Sequence, residues 1–139
     1  MTTAVRSQDG SEQRCARVRA MWACVQARDW AGMRAALHDD AVMHWPVTRE
    51  RFDGGDLIVR VNSEYPEGWT LTVKAVDALA DGRVHALVEV VQDGVIYFNH
   101  SRCTFAGARI VEITEHWATG EAPRAWRTAE RLGAGYHRG

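Results

Sequence analysis

The sequence lacks most of what would hold a fold together from outside or tie it to a large partner. Its three cysteines, Cys15, Cys24 and Cys103, are odd in number and widely spaced. That excludes an even disulfide framework and any Cys-based zinc pattern, and reduced thiols buried as small hydrophobes are expected. Charge of neither sign dominates, with 17 basic against 18 acidic residues, so no field draws nucleic acid or an anionic membrane. No apolar run reaches the roughly 18 residues that cross a bilayer. The opening "MTTAVRSQDGSEQR" has no apolar centre of the signal-peptide kind, and a cytoplasmic protein is expected. Glycine-rich phosphate loops, nucleophile elbows and Cys/His pairs are missing. Six histidines show no HxH or HxxxH spacing, so a metal would need His85, His100 and Glu89 or Glu115 to converge across strands; neither metal nor cofactor is expected. The remaining partners are a small molecule and a second copy of the chain.

What is present is a domain-sized chain with a clear change of period. Val18, Met21, Trp22 and Val25 recur at helical spacing and predict an amphipathic helix over about residues 11 to 28. Asp29 is placed to cap a short second helix with Trp30, Met33 and Leu37 inward, ending near "HDD". A strand "AVMHWP" follows, closed by Pro46. The turn signal "DGGD" opens a third helix carrying Leu57, Ile58, Val61 and Tyr65 on one side. From Trp69 onward four β segments are expected, near 69–79, 83–92, 95–105 and 109–118, separated by "ADG", "QDG" and "FAGA". Residues 1–11 and 129–139 read as tails around a domain spanning 12–128. Helices followed by a run of antiparallel strands give an α+β plan, a cone-shaped curved sheet wrapped around three N-terminal helices.

The element order, "DWAGMRAALHDDAVMHWP", the "RFDGGDLIV" turn into the third helix and the closing "ARIVEITEHWA" together resemble the nuclear transport factor 2-like (cystatin-like) superfamily. That superfamily includes SnoaL-like polyketide cyclases, ketosteroid isomerases and limonene epoxide hydrolases. The resemblance spans about residues 12 to 128 and implies a cone with a blind end. Enzymes, ligand binders and interaction modules share the fold, so fold alone does not choose among them.

Hairpin registers decide which side chains meet. With Asp93 and Gly94 as the central pair of one turn, Glu89 faces Phe98 and Leu87 faces His100. With Ala106 and Gly107 central in the next, Phe98 faces Glu115 and His100 faces Ile113. One face then carries His85, Leu87, Glu89, Val91, Ile96, Phe98, His100, Arg102, Val111, Ile113, Glu115 and Trp117. The other carries Val84, Val88, Val90, Tyr97, Asn99, Ser101 and His116. The epoxide hydrolases of the superfamily carry a catalytic aspartate in the last strand where this chain has Glu115. The resemblance therefore places the first set inside and leaves the Val84–Tyr97 set as a candidate homodimer surface. A register shift of one residue exchanges the faces.

On that reading Glu115 and Glu89 flank Phe98, with His100 and Arg102 further along the same strand. Two carboxyls on an apolar wall are costly unless paired or protonated, which moves their pKa toward useful acid–base values. Glu115, Glu89 and His100 are the candidate catalytic groups. Arg102, Phe98, Trp117, Tyr65, Trp69, Trp22 and Glu50 are the candidate substrate contacts, the aromatic residues serving core and cavity together. The same charges also read as a buried ion pair that fixes register. In ketosteroid isomerases a general-base aspartate precedes the proline of a "DP" stretch. Trp45 stands there, so that base is missing, and Glu50 on the following loop either replaces it or is a surface residue. The epoxide hydrolases' Arg-x-Asp corresponds to "LVE" at 87–89, leaving Arg102 as the candidate arginine. The SnoaL-like scheme, one acid–base carboxyl in an apolar cavity, asks least of the sequence. Two functions follow: cofactor-independent isomerisation, cyclisation or hydrolysis of a mostly apolar substrate, or a non-catalytic ligand-binding or dimeric assembly module. Alternation along the last strand turns His116 away from Glu115, and Trp126 is expected to pack on the rim.

Overall fold

A computed structural model describes residues 2–139, with side chains from residue 10 onward. The elements run α1 (Thr2–Ala27), α2 (Trp30–Ala36), β1 (Leu37–Trp45), β2 (Glu50–Asp53), α3 (Gly55–Ser63), β3 (Trp69–Ala78), β4 (Val84–Gln92), β5 (Val95–Ala106), β6 (Arg109–Thr119) and a single turn, α4 (Ala129–Leu132). Helix α1 begins at Thr2, within the stretch expected as an N-terminal tail, where the side chains before residue 10 lie outside the described residues.

The stripe Val18, Met21, Trp22 and Val25 is buried to within 3% exposure and lays α1 on the concave side of the sheet, chiefly against β3. Asp29 caps α2, its Oδ1 accepting from Gly32 N at 2.9 Å. That helix stops at Ala36, two residues earlier than the sequence suggests, because Leu37–Asp40 already run as strand. Leu37 is fully buried all the same. Arg34 ties the elements together at this junction. Its guanidinium donates to Asp56 at 2.7 Å, to Asp39 at 2.7 Å and to the Leu37 carbonyl at 3.1 Å. A Cβ on Gly55, at the start of α3, would sit 2.8 Å from that guanidinium and 3.0 Å from the His38 carbonyl oxygen, so a side chain there would push the end of Arg34 from its place.

The sheet has six strands in the order β2-β1-β6-β5-β4-β3 and is not closed. All neighbours are antiparallel except β1 and β6, which run parallel. Irregularities at Leu37/Val42, Val73/Ala75 and Thr104/Phe105 bend it, since an extra residue on one strand sharpens local twist. The result is an α+β cone, with helices on one face of a curved sheet. Strand β2 was expected as loop. Its four residues, "ERFD", are mostly polar and exposed, so only Phe52, packed edge-on to Trp45 at 4.8 Å, marks it as part of the fold.

The β4–β5 register agrees with the expectation: Glu89 pairs with Phe98 and Leu87 with His100 across a turn in which Asp93 and Gly94 both have positive φ. The β5–β6 register does not. The turn centres on Gly107 and Ala108, so Ala106 pairs with Arg109, which moves the register by two and alone would keep the faces. The bulge then leaves Val111 unpaired between Phe105–Ile110 and Thr104–Glu112. That odd shift exchanges the faces, and Glu115 pairs with Ser101 instead of Phe98.

Consequently Val84, Ala86 and Val88 are fully buried and Val90 nearly so, with Asn99, Ser101 and Cys103, against the helices. The surface expected to join two copies is the core. Glu89, Phe98, His100 and Arg102, expected inside, lie on the outer face. Among the described residues no helix is long and apolar enough to cross a membrane.

Candidate functional site

The cone encloses a cavity of about 350 Å³ between α1, the loop after β1, α3 and the inner faces of β3–β6. Its lining is mainly aromatic and aliphatic, and its charged groups are two carboxyls, Glu50 and Glu115. Glu115 reaches the wall from β6, where alternation sends Ile113, Glu115 and Trp117 inward. It is 5% exposed. Trp45, at the end of β1, meets it along the parallel β1–β6 pair, its Nε1–H donating to Glu115 Oε1 at 2.8 Å. The Trp45 indole is set by Phe52 on one side and by Trp117, edge-on at 6.4 Å with planes 82° apart, on the other.

Burial raises the Glu115 pKa above its ordinary value, opposed by the Trp45 hydrogen bond and by the nearby Asn99 and Trp117 side chains. Desolvation dominates because an ionised carboxylate loses more hydration here than one indole returns. Neither Asn99 amide atom nor the Trp117 indole nitrogen has a hydrogen bond of its own, and Ser101 Oγ, on the residue directly across from Glu115, also has none. A carboxyl inclined to hold its proton, with one oxygen fixed by an indole, can donate that proton to a basic atom and take another back.

The structure brings six of the ten expected residues together. Glu115, Trp117, Tyr65, Trp69, Trp22 and Glu50 all line the cavity. Glu89, His100, Arg102 and Phe98 do not. Glu89 lies on the outer face 3.8 Å from Lys74 Nζ. His100 stacks with His85 on that face, their ring nitrogens 3.0 Å apart. The two-carboxyl wall and the Glu115–His100 partnership are therefore corrected by the bulge. So is Arg102 as the arginine of an epoxide-hydrolase triad. His44 turns outward to within 3.6 Å of Glu112, as alternation with Trp45 requires. Trp126 is 54% exposed, not packed on the rim.

Four residues of the site escaped the sequence reading: Trp45 as the partner of Glu115, Asn99 and Ser101 as its polar surroundings, and Tyr97, expected on the opposite face, which lines the cavity. A signal for Asn99 and Ser101 existed. In β4 the set Val84, Ala86, Val88, Val90 is wholly apolar, while the alternate set holds His85 and Glu89, and the correct β4–β5 register carries Asn99 and Ser101 inward with the apolar set. The thiols take no part. Burial pushes the Cys103 thiol far up, with Glu115 adding to it.

A model of the SnoaL-like domain matches residues 18–120. This chain belongs to the SnoaL-like domain family. Solved structures agree on the fold of this SnoaL-like chain. One is a proposed ketosteroid isomerase from Kribbella flavida, 26% identical with a TM-score of 0.78, covering 89% of this chain and 90% of that one. Another is a nuclear transport factor 2-like protein of unknown function from Burkholderia xenovorans, 17% identical, TM-score 0.75, covering 88% and 94%. An LEH-like epoxide hydrolase of M. tuberculosis is 18% identical, TM-score 0.63, covering 78% and 84%. No curated protein matches the sequence significantly.

Proposed function

We propose that this SnoaL-like chain is a cofactor-independent acid–base enzyme acting on a small, mostly apolar molecule held in the cone. The observation that carries the reading is Glu115: a buried carboxyl on the wall of an aromatic-lined cavity, one oxygen held by Trp45 Nε1 at 2.8 Å. Its Oε2 is then the atom that exchanges a proton. Ionised, Glu115 takes a proton from carbon, hydroxyl or water. Protonated, it returns that proton to a second atom of the same molecule, which completes an isomerisation or cyclisation, or to a leaving oxygen, which completes a hydrolysis. Trp22, Trp69 and Trp117 supply flat apolar contact, and Tyr65 and Glu50 stand toward the mouth, where both are exposed. Because Glu89 and His100 are outside the cone, the scheme needs one carboxyl, not two.

Screening purified protein against apolar ketones, epoxides and polyketide-like aromatics tests this, with Glu115→Gln as the comparison. Loss of turnover by about 10²–10⁴-fold with an unchanged fold is expected. A substrate turned over equally well by Glu115→Gln would remove the carboxyl from the mechanism. Ligands that bind in the cavity and are never converted would make the chain a binding module. Self-association belongs to the proposal too, through the exposed apolar residues Val91 and Ile96 of the outer face.

A further inference from the structure

The outer face of the sheet holds a second cluster, unconnected to the cavity. His85 on β4 and His100 on β5 sit diagonally across that strand pair, because His85 pairs with Arg102 and His100 with Leu87. Their rings stack with centroids 5.2 Å apart and planes 28° apart, and His85 Nε2 and His100 Nδ1, 3.0 Å apart, share a hydrogen bond in which one ring nitrogen donates to the other. On the far side of His100, its direct partner on β6 is His116. All three imidazoles and Arg102 line one shallow depression.

From this juxtaposition we propose that His85 Nε2 and His100 Nδ1 chelate a single divalent transition-metal ion on the outer sheet face, the ion taking the place of the proton they share. Nitrogens 3.0 Å apart that each lie about 2.0–2.1 Å from one ion subtend roughly a right angle there. A right angle is the spacing of adjacent ligands in tetragonal or octahedral coordination, and imidazole with that geometry suits Cu(II) and Ni(II). Tetrahedral Zn(II) wants a wider bite. Two rings on neighbouring strands of one sheet are pre-positioned, so little side-chain freedom is lost on binding. Among the described residues no group of three or more His, Cys, Asp or Glu side chains is arranged to hold a metal. The site is thus a two-imidazole chelate whose other positions are open to water or an added ligand, with His116 the nearest further imidazole on the adjoining strand. Arg102 lines the same depression; its positive charge opposes the bare cation and favours an anionic added ligand once the ion is bound.

The experiment is calorimetric titration of the chelator-stripped full-length protein with Cu(II), Ni(II) and Zn(II) salts. One ion per chain is expected, with Cu(II) bound most tightly. His85→Ala and His100→Ala should each weaken Ni(II) binding by more than roughly tenfold, the lower bound seen even for outer-sphere partners. His137→Ala should leave it unchanged. His85→Gln and His100→Gln, which keep side-chain size, serve where an alanine variant fails to fold. Absence of saturable binding to the wild-type chain overturns the proposal. So does binding that survives in both the His85 and the His100 variants, since the ion would then sit elsewhere.

Discussion

Trp45 donates its indole N–H to Glu115 Oε1 at 2.8 Å, joining two residues 70 positions apart. The bond exists because β1 and β6 run parallel with Met43 beside Ile113, so two steps further along each strand the inward positions are Trp45 and Glu115. Trp45, at the end of β1, is thus the group that holds the carboxyl of this chain.

Trp45→Phe keeps an aromatic ring but removes the donor together with part of the indole that packs on Phe52 and Trp117. It should raise the Glu115 pKa further, since the Trp45 bond is the largest influence opposing desolvation. Leaving that buried oxygen unpaired should cost about 1–3 kcal/mol. A denaturant melt and a titration of the Glu115 carboxyl followed by NMR would read both.

The raised pKa of Glu115 also fixes the sign of a pH effect. Below its ordinary value of 4.5, the carboxyl is protonated in both folded and unfolded chains and contributes no pH dependence. Above it the unfolded carboxyl ionises while the folded one retains its proton, so stability falls as pH rises until the folded pKa is passed. Glu115→Gln removes this pH dependence and can still accept the Trp45 hydrogen bond. Its stability relative to wild type should therefore climb from pH 4.5 upward. A variant whose advantage is the same at pH 4 and pH 8 would contradict the shift.

Asn99 is fully buried and both of its amide atoms lack a partner. A buried polar group left unsatisfied costs about 1–3 kcal/mol, which a purely structural strand position would shed. Asn99→Leu should be as stable as wild type or more so, by up to that amount, while pushing the Glu115 pKa up. A large loss of stability would mark Asn99 as structural.

The two sheet faces are separated by a matched pair of substitutions. Val88 is fully buried and Ile96 is 40% exposed. Val88→Asp buries an unpaired charge and should cost about 4 kcal/mol or more. Ile96→Asp should stay within about 0.5 kcal/mol of wild type as a folded chain, and should weaken self-association in sedimentation if the outer face joins two copies. The register expected from the sequence alone predicts the opposite ranking.

Much of the fold was legible because its signals are local. The stripe on α1, the Asp29 cap and the Asp93–Gly94 turn each lie within a few residues and each appear as read. Strand β2 was not legible, since four mostly polar edge residues carry neither period nor turn chemistry. The site was half legible. Inward alternation of Glu115 and Trp117 within β6 survives any register, whereas their neighbours on β5 depend on how the two strands are set against each other.

The sequence by itself determined the α+β plan, the apolar helix stripe, the β4–β5 pairing and part of the aromatic lining (Trp22, Tyr65, Trp69 and Trp117), because periodicity and turn residues act over short range. Only the tertiary structure decided what surrounds Glu115. One unpaired residue, Val111, shifts β6 against β5 by an odd number, and a strand's two-residue period turns that into a change of face. Glu89 and His100 are carried outward, Asn99 and Ser101 inward, and Trp45 arrives from a strand that no hairpin connects to β6.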